Sequence, residues 1–247
     1  MTAPPSCAVL EWDSEFFGRR IARVQGGRLD AEGIARCRSW CAQEGVEALQ
    51  FLADPNDAET AQAVQAAGFR YVDTRMMLER PIADLAKLQG ALPEAIHVGD
   101  GSEAAALAEV ARVSHRDSRF YHDPGFDRAR CDDLYATWVK NSFEGFAQAV
   151  LVATHAGQPV GYLSCHLNDD DTGQIGLVAV GEAARGHGLG GKLVEGSLAW
   201  FANAGKPRAV VVTQGRNVAA LRMYERLGFL THSVGDWYHL WLHGETP

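Results

Sequence analysis

Residues 172–203, TGQIGLVAVGEAARGHGLGGKLVEGSLAWFAN, leave few options for the fold around them. They read as a strand ending at Val180, a short turn, a loop holding Gly186, Gly188, Gly190 and Gly191, and then an apolar helix. Glycines lacking Cβ let amides converge on an anion, and a helix start adds unpaired N–H groups and partial positive charge. Strand, loop and helix together predict a diphosphate cradle. A dinucleotide fold needs G-x-G-x-x-G inside a parallel βαβ unit; here the order differs. A Walker loop needs Gly-Lys-Ser/Thr, but Lys192 is followed by Leu193.

The strands before the loop read as antiparallel. AQAVLVATH and QPVGYLSCHL are joined by Ala-Gly, and the latter is joined to TGQIGLVAV by the acidic NDDD. Upstream lie the short strand AIHVG, the helix SEAAALAEVARVSH, the irregular RDSRFYHDPGFD and the helix RARCDDLYATWVKNSF. Downstream lie the strand RAVVVTQ, the helix NVAALRMYERLGF and a final strand pair, LTHSVGDWYHLWL.

The first third has its own order. CAVLEWDSEFFGRRIARVQG reads as two short strands broken by a turn near Asp13 to Gly18, followed by the helix DAEGIARCRSWCAQEG. The strand VEALQFLA, the helix NDAETAQAVQAAGF and the strand RYVDTRMMLER come next, and PIADLAKLQGALPEA bridges to the second part. Strand, polar turn, helix, Gly-Phe, strand thus occurs twice, with Gly68-Phe69 matching Gly228-Phe229, Asp57 matching Asn217 and Val64 matching Tyr224. Either the chain is a tandem of related halves, a degenerate 1–92 and a catalytic 93–247, or common helix-Gly-strand grammar has recurred.

The 247 residues, 47% apolar and 22% charged, are enough to bury a real core. A net charge of −8 without a basic cluster argues against nucleic acid, so any phosphate ligand must be held locally. No run approaches the roughly 18 apolar residues of a membrane span. The N-terminus lacks the basic start and apolar core of a secretory signal, so the expected location is cytoplasmic. Cys7, Cys37, Cys41, Cys131 and Cys165 are an odd, scattered set, expected to be buried thiols. His232, His239 and His243 have no zinc spacing, and no metal is expected.

Arg185-x-x-Gly188-x-Gly190 after GLVAV resembles the acetyl-CoA loop of the GCN5-related N-acetyltransferases (GNAT), and NVAALRMYERLGF resembles the family's second signature. The resemblance implies an α/β (α+β) GNAT fold: a mixed, mostly antiparallel twisted sheet flanked by helices, preceded here by a smaller degenerate GNAT-like half. It implies acyl-CoA-dependent N-acyl transfer, with acetyl-CoA as co-substrate. The cradle would be Arg185, Gly186, His187, Gly188, Leu189, Gly190 and Gly191. The backbone of Leu177, Val178, Ala179 and Val180 would pair with the pantetheine arm and stabilise the oxyanion. Asn217 and Ala220 would contact the arm, and Tyr224 would protonate the leaving thiolate. Asn217 and Tyr224 are seven residues apart, about two helical turns, so they share a face. The base that takes the acceptor proton stays open between His115, His122, His166, Asp117 and a water chain.

The acceptor is expected near SHRDSRFYHDPGF, where Arg116 and Arg119 are suited to phosphate and Phe120 and Tyr121 to stacking. LEWDSEFFGRRIARV and SRFYHDPGFDRARCDDLYATWVKNSF look like the dTDP-fucosamine acetyltransferase group, which implies the 4-amine of a dTDP-linked 4-amino-4,6-dideoxyhexose as acceptor. Other small amines (an aminoglycoside, a polyamine, an amino acid), a protein N-terminus, or CoA sensing without turnover are the alternatives. A homodimer is expected through DWYHLWL.

Overall fold

The computed structural model describes residues 7–82 and 90–242. Most of the bridging stretch, residues 83–89, and His243 lie outside the described residues. The first part runs β1 (Cys7–Val9), α1 (Glu11–Phe17), β2 (Ile21–Val24), α2 (Ala31–Glu44), β3 (Ala48–Ala53), α3 (Ala58–Ala66) and β4 (Arg70–Pro81). The second begins with β5 (Ile96–Val98), α4 (Ala104–Ser114), α5 (Arg119–His122) and α6 (Arg128–Asn141). It continues through β6 (Ala149–His155), β7 (Gln158–Leu167), β8 (Thr172–Val180) and α7 (Leu189–Asn203). It ends with β9 (Arg208–Gln214), α8 (Val218–Arg226) and β10 (Leu230–Trp241).

Local chemistry sets the helix starts. Asp30, Asp57 and Asp127 each accept a hydrogen bond from the amide three residues on, which begins α2, α3 and α6. Two sequence expectations are corrected. The turn near Asp13 is a helix, α1, stopped by Gly18 in the left-handed conformation at φ 63°. The final strand pair is one strand, β10. Its Gly235 marks close packing rather than a turn, because a Cβ there would lie 2.8 Å from Leu52.

Ten strands make one sheet in the order β1-β2-β3-β10-β4-β9-β8-β7-β6-β5. The run β2–α2–β3–α3–β4 is repeated by β8–α7–β9–α8–β10, and parallel β2–β3 mirrors parallel β8–β9. Each run sends its last strand across to the other: β4 pairs with β9 and β10 with β3, both antiparallel, and β4 and β10 pair at the centre. β10 therefore has neighbours on both edges, and the dimer contact expected through DWYHLWL has no free edge to use.

Side chains of paired residues point to the same face of a sheet. One face carries two apolar clusters, under α2 and α3 and under α7 and α8. The other carries the aromatic cluster of α1, α4, α5 and α6, which includes Phe17, Phe120, Phe126, Tyr135 and Trp138. Over β4 and β9 the cover on this second face thins, and Arg75, Gln214 and Arg216 are only partly buried.

Candidate active site

The parallel ladder between β8 and β9 stops at Ile175 and Val211, although β8 runs on to Val180 and β9 to Gln214. On its other side β8 gains a residue against β7: Leu163 pairs with Val178, but Cys165 pairs with Ile175. Ser164 Oγ fills the break by accepting from the Leu177 amide at 2.9 Å. Gly176 is required there, since a Cβ would lie 2.5 Å from His166 Nε2 and 2.6 Å from Ser164 Oγ. The Gly181 amide donates to the Val160 carbonyl at 2.8 Å. By alternation the Ala179 amide also turns to β7, and those of Val178 and Val180 face the gap beside β9. The strands part and leave a slot edged by backbone donors.

The glycine loop sits at the head of that slot. Gly186 (φ 85°) and Gly188 (φ 73°) are both left-handed, and a Cβ on either, or on Gly191, would meet nothing within 4 Å. Open space therefore lies before Gly186, Gly188 and Gly191, while His155 packs its ring on His187 at 4.6 Å. Gly188 precedes α7, and the Lys192 amide is the first to bond back to its carbonyl, so the amides of the first turn point outward. Arg185 Nε donates to the Val180 carbonyl at 3.3 Å, which ties loop to strand. His187 Nδ1 lies 3.3 Å from the Ala184 carbonyl, and Leu189 is buried. Gly190 backs onto α8, where a Cβ would come within 3.2 Å of Met223 Sδ. Amides without partners on a 15-residue helix, with room before them, fit a diphosphate.

α8 supplies the remaining groups. Asn217 caps it, its Oδ1 accepting from the Ala220 amide at 3.2 Å, which leaves the Asn217 NH₂ group for another partner. Tyr224 is buried in the cluster that also holds Leu189, Val178 and Val180. Its hydroxyl has no hydrogen-bond partner among the described residues, and burial pushes its pKa well above that of a free phenol. A phenol so placed is a proton donor at neutral pH.

The base candidates are dispersed. His115 Nε2 lies 2.6 Å from the Tyr162 hydroxyl and its ring stacks on Tyr135 at 4.4 Å. Burial brings its pKa down to about 4, so it is neutral at pH 7. His166 lies against the β8 bulge, 3.2 Å from Ser164 Oγ, with its pKa lowered mainly by burial. His122, the last residue of α5, and Asp117, on the turn before it, are exposed.

The acceptor candidates separate in the same way. Phe120 and Tyr121 are core residues at 1% and 6% exposure, and the Tyr121 hydroxyl bonds to Asp132. Arg116 is exposed. Arg119 turns inward, its guanidinium 4.4 Å from the Phe120 ring centre and 4.5 Å from that of Trp237.

Sequence reasoning missed what Arg119 joins. Arg23 on β2, Gln50 on β3 and His239 on β10 lie side by side in register. Arg23 also stacks on Trp237, at 5.0 Å. Gln50 Oε1 accepts from Arg119 at 3.4 Å and from Arg23 at 3.5 Å. His239 Nδ1 donates to Asp123 at 2.6 Å. Asp73 pairs with Arg216 at 3.2 Å, yet burial still raises its pKa to about 6. The available signal was a glutamine inside the otherwise apolar strand ALQFLA, with arginines in the strands before and after it in sequence, IARV and RYVDTRMMLER.

With that geometry in hand, residues 109–229 match the profile of the acetyltransferase (GNAT) family. The chain is 34% identical over 137 residues to the spore coat polysaccharide biosynthesis protein SpsD of Bacillus subtilis, a match covering 55% of this chain and 47% of that one. It therefore spans less than half the length of SpsD. It is 28% identical over 218 residues to the mycothiol acetyltransferase of Mycobacterium avium, covering 83% of this chain and 68% of the relative. Among solved structures, a GCN5-related N-acetyltransferase from Sphaerobacter thermophilus superposes with a TM-score of 0.68 at 14% identity, over 98% of this chain and 78% of the other. The expected GNAT fold is the observed one. No helix among the described residues is long and apolar enough to cross a membrane.

Proposed function

Because residues 109–229 form a domain of the GNAT superfamily, an acyl-CoA-dependent N-acyltransferase class that uses acetyl-CoA, we propose that this chain acetylates the 4-amino group of a dTDP-linked 4-amino-4,6-dideoxyhexose. The observation that carries the donor half of this reading is the slot between β8 and β9, opening beneath the glycine loop with Tyr224 in the adjoining cluster. In this reading the loop from Arg185 to Gly191 holds the CoA diphosphate, and the β8 backbone from Leu177 to Val180 lines the pantetheine arm. Asn217, through its NH₂ group, and Ala220 contact that arm. The sugar amine attacks the thioester carbonyl directly within a ternary complex. As the C–N bond forms and the C–S bond breaks, the Val178 and Val180 amides stabilise the oxyanion, Tyr224 gives its proton to the departing thiolate, and the amine gives up its proton to a base that stays open between the candidates above and a water chain.

The sugar acceptor is supported by the likeness to SpsD, a polysaccharide biosynthesis protein, and by the motifs around residues 10–24 and 118–143. We take residues 1–92 as a degenerate GNAT-like half and 93–247 as the catalytic one. Val64, opposite Tyr224, cannot act as an acid, and the stretch between β2 and α2 holds only Gly26 and Gly27, with nothing matching Arg185-x-x-Gly188-x-Gly190. Thermal stabilisation of the CoA-bound protein tests the acceptor. dTDP-linked 4-amino sugars are expected to raise the melting temperature, whereas unlinked aminoglycosides, polyamines and amino acids leave it unchanged. The reverse ranking would replace the nucleotide-sugar acceptor with the unlinked amine.

A further inference from the structure

We propose that the cleft where the two halves meet is an anion subsite for the acceptor, in which Arg23, Gln50 and Arg75 of the first half join Arg119 of the second to hold a phosphate ester or diphosphate. This deepens the function proposed above and rests on it for the acceptor's identity. The observation that prompts it is a set of orphaned donors. Gln50 is fully buried, yet its Nε2 has no partner, and the buried Nε atoms of Arg23 and Arg119 have none either. Buried donors are nearly always satisfied, so three in one place point to a missing acceptor.

Charge points the same way. Among the described residues, Arg23, Arg75 and Arg119 have no carboxylate within ion-pair distance, whereas Arg216 has Asp73. Asp13 is the carboxylate that offsets both Arg23 and Arg119, at longer range. Arg23 acts on Arg75 and on Arg119 as a like charge, so its guanidinium lies within electrostatic reach of both. Burial first, and then repulsion from Arg23, lowers the Arg119 pKa to about 10. A bound anion would relieve the repulsion and accept from the free N–H groups together.

The cleft is placed for a long acceptor. Arg75 pairs in register with Gln214, at the end of β9 where the slot opens. Gln50 lies two strands farther along the same face, at β3, roughly 10 Å from β4 at about 4.8 Å per strand. In a hexose carrying a 1-phosphate and a 4-amine, these groups stand at opposite ends of the ring. With the amine in the slot, one to two strands beyond β4, the first phosphate falls at Arg75 and a second can extend toward Arg119, Gln50 and Arg23. Trp237, whose ring already carries Arg23 and Arg119, floors the cleft between them.

The test is calorimetric titration of the full chain, saturated with CoA so that the glycine loop is filled, with inorganic pyrophosphate and with dTDP. Wild type is expected to bind both, and Arg23→Gln and Arg75→Gln are each expected to weaken binding about tenfold or more while leaving CoA affinity unchanged. Arg75, partly exposed at the rim, keeps the test readable if Arg23→Gln does not fold. Wild type that binds neither probe, or folded variants that bind both as wild type does, would overturn the subsite. Failure of acetyl transfer would appear separately, as absent thiol release with intact anion binding.

Discussion

Ser164 Oγ accepts the Leu177 amide at 2.9 Å at the one place where the β7–β8 ladder gains a residue. The side chain substitutes for a backbone partner and holds the bulge that turns the rest of β8 away from β9. Ser164→Ala leaves a largely buried amide unpaired and is expected to cost about 1–2 kcal/mol in urea unfolding. It should also raise the KM for acetyl-CoA, because the Val178 and Val180 amides lose their alignment. Unchanged stability and KM would mean that the bulge holds itself.

The loop glycines serve two different needs, and substitutions should separate them. Gly188→Ala meets no steric obstacle but must keep φ at 73°, at a cost of about 1–2 kcal/mol for a side chain in the left-handed region. Gly190→Ala keeps an ordinary backbone and presses only on the flexible Met223 side chain. CoA affinity, measured by titration, should fall more for Gly188→Ala than for Gly190→Ala. The opposite order would place the constraint in packing against α8.

Tyr224→Phe removes only the hydroxyl. If that group protonates the thiolate, turnover should fall by roughly 10²- to 10⁴-fold with little change in acetyl-CoA affinity. The measurement needs single-turnover conditions so that chemistry is observed. Unchanged single-turnover rates would remove Tyr224 from the reaction.

His115 makes stability depend on pH. Burial holds its folded pKa at about 4, against 6.5 for the free side chain. Between these values the unfolded chain binds a proton that the folded chain excludes, so stability is fully present above pH 6.5 and falls as the pH drops toward 4. The contribution is about 3 kcal/mol at most, from 1.36 kcal/mol per pKa unit. Unfolding free energies measured across this window should slope less for His115→Gln than for wild type. Equal slopes would assign the dependence to other groups.

What was legible in the sequence follows from how local each signal is. Gly186 and Gly188 announce their backbone conformation because only glycine adopts it readily, and Asp30, Asp57 and Asp127 announce helix starts by bonding three residues ahead. The repeat ending at Gly68-Phe69 and Gly228-Phe229 was visible, but the crossing of β4 and β10 was not. Strand partners are chosen over long sequence separations that no single segment encodes. β10 was misread because Gly235, a close-packing glycine beside Leu52, looks like a turn in sequence. Phe120 and Arg119 are neighbours in sequence, yet one enters the aromatic core and the other reaches Gln50 across 69 positions. That divergence depends on the tertiary fold.

The most direct test is thiol release from acetyl-CoA, followed with a dTDP-linked 4-amino-4,6-dideoxyhexose as acceptor. The account predicts release that requires both substrates, yields the N-acetylated sugar, and is nearly abolished by Tyr224→Phe. Acetyl-CoA binding without release in the presence of that sugar would contradict it.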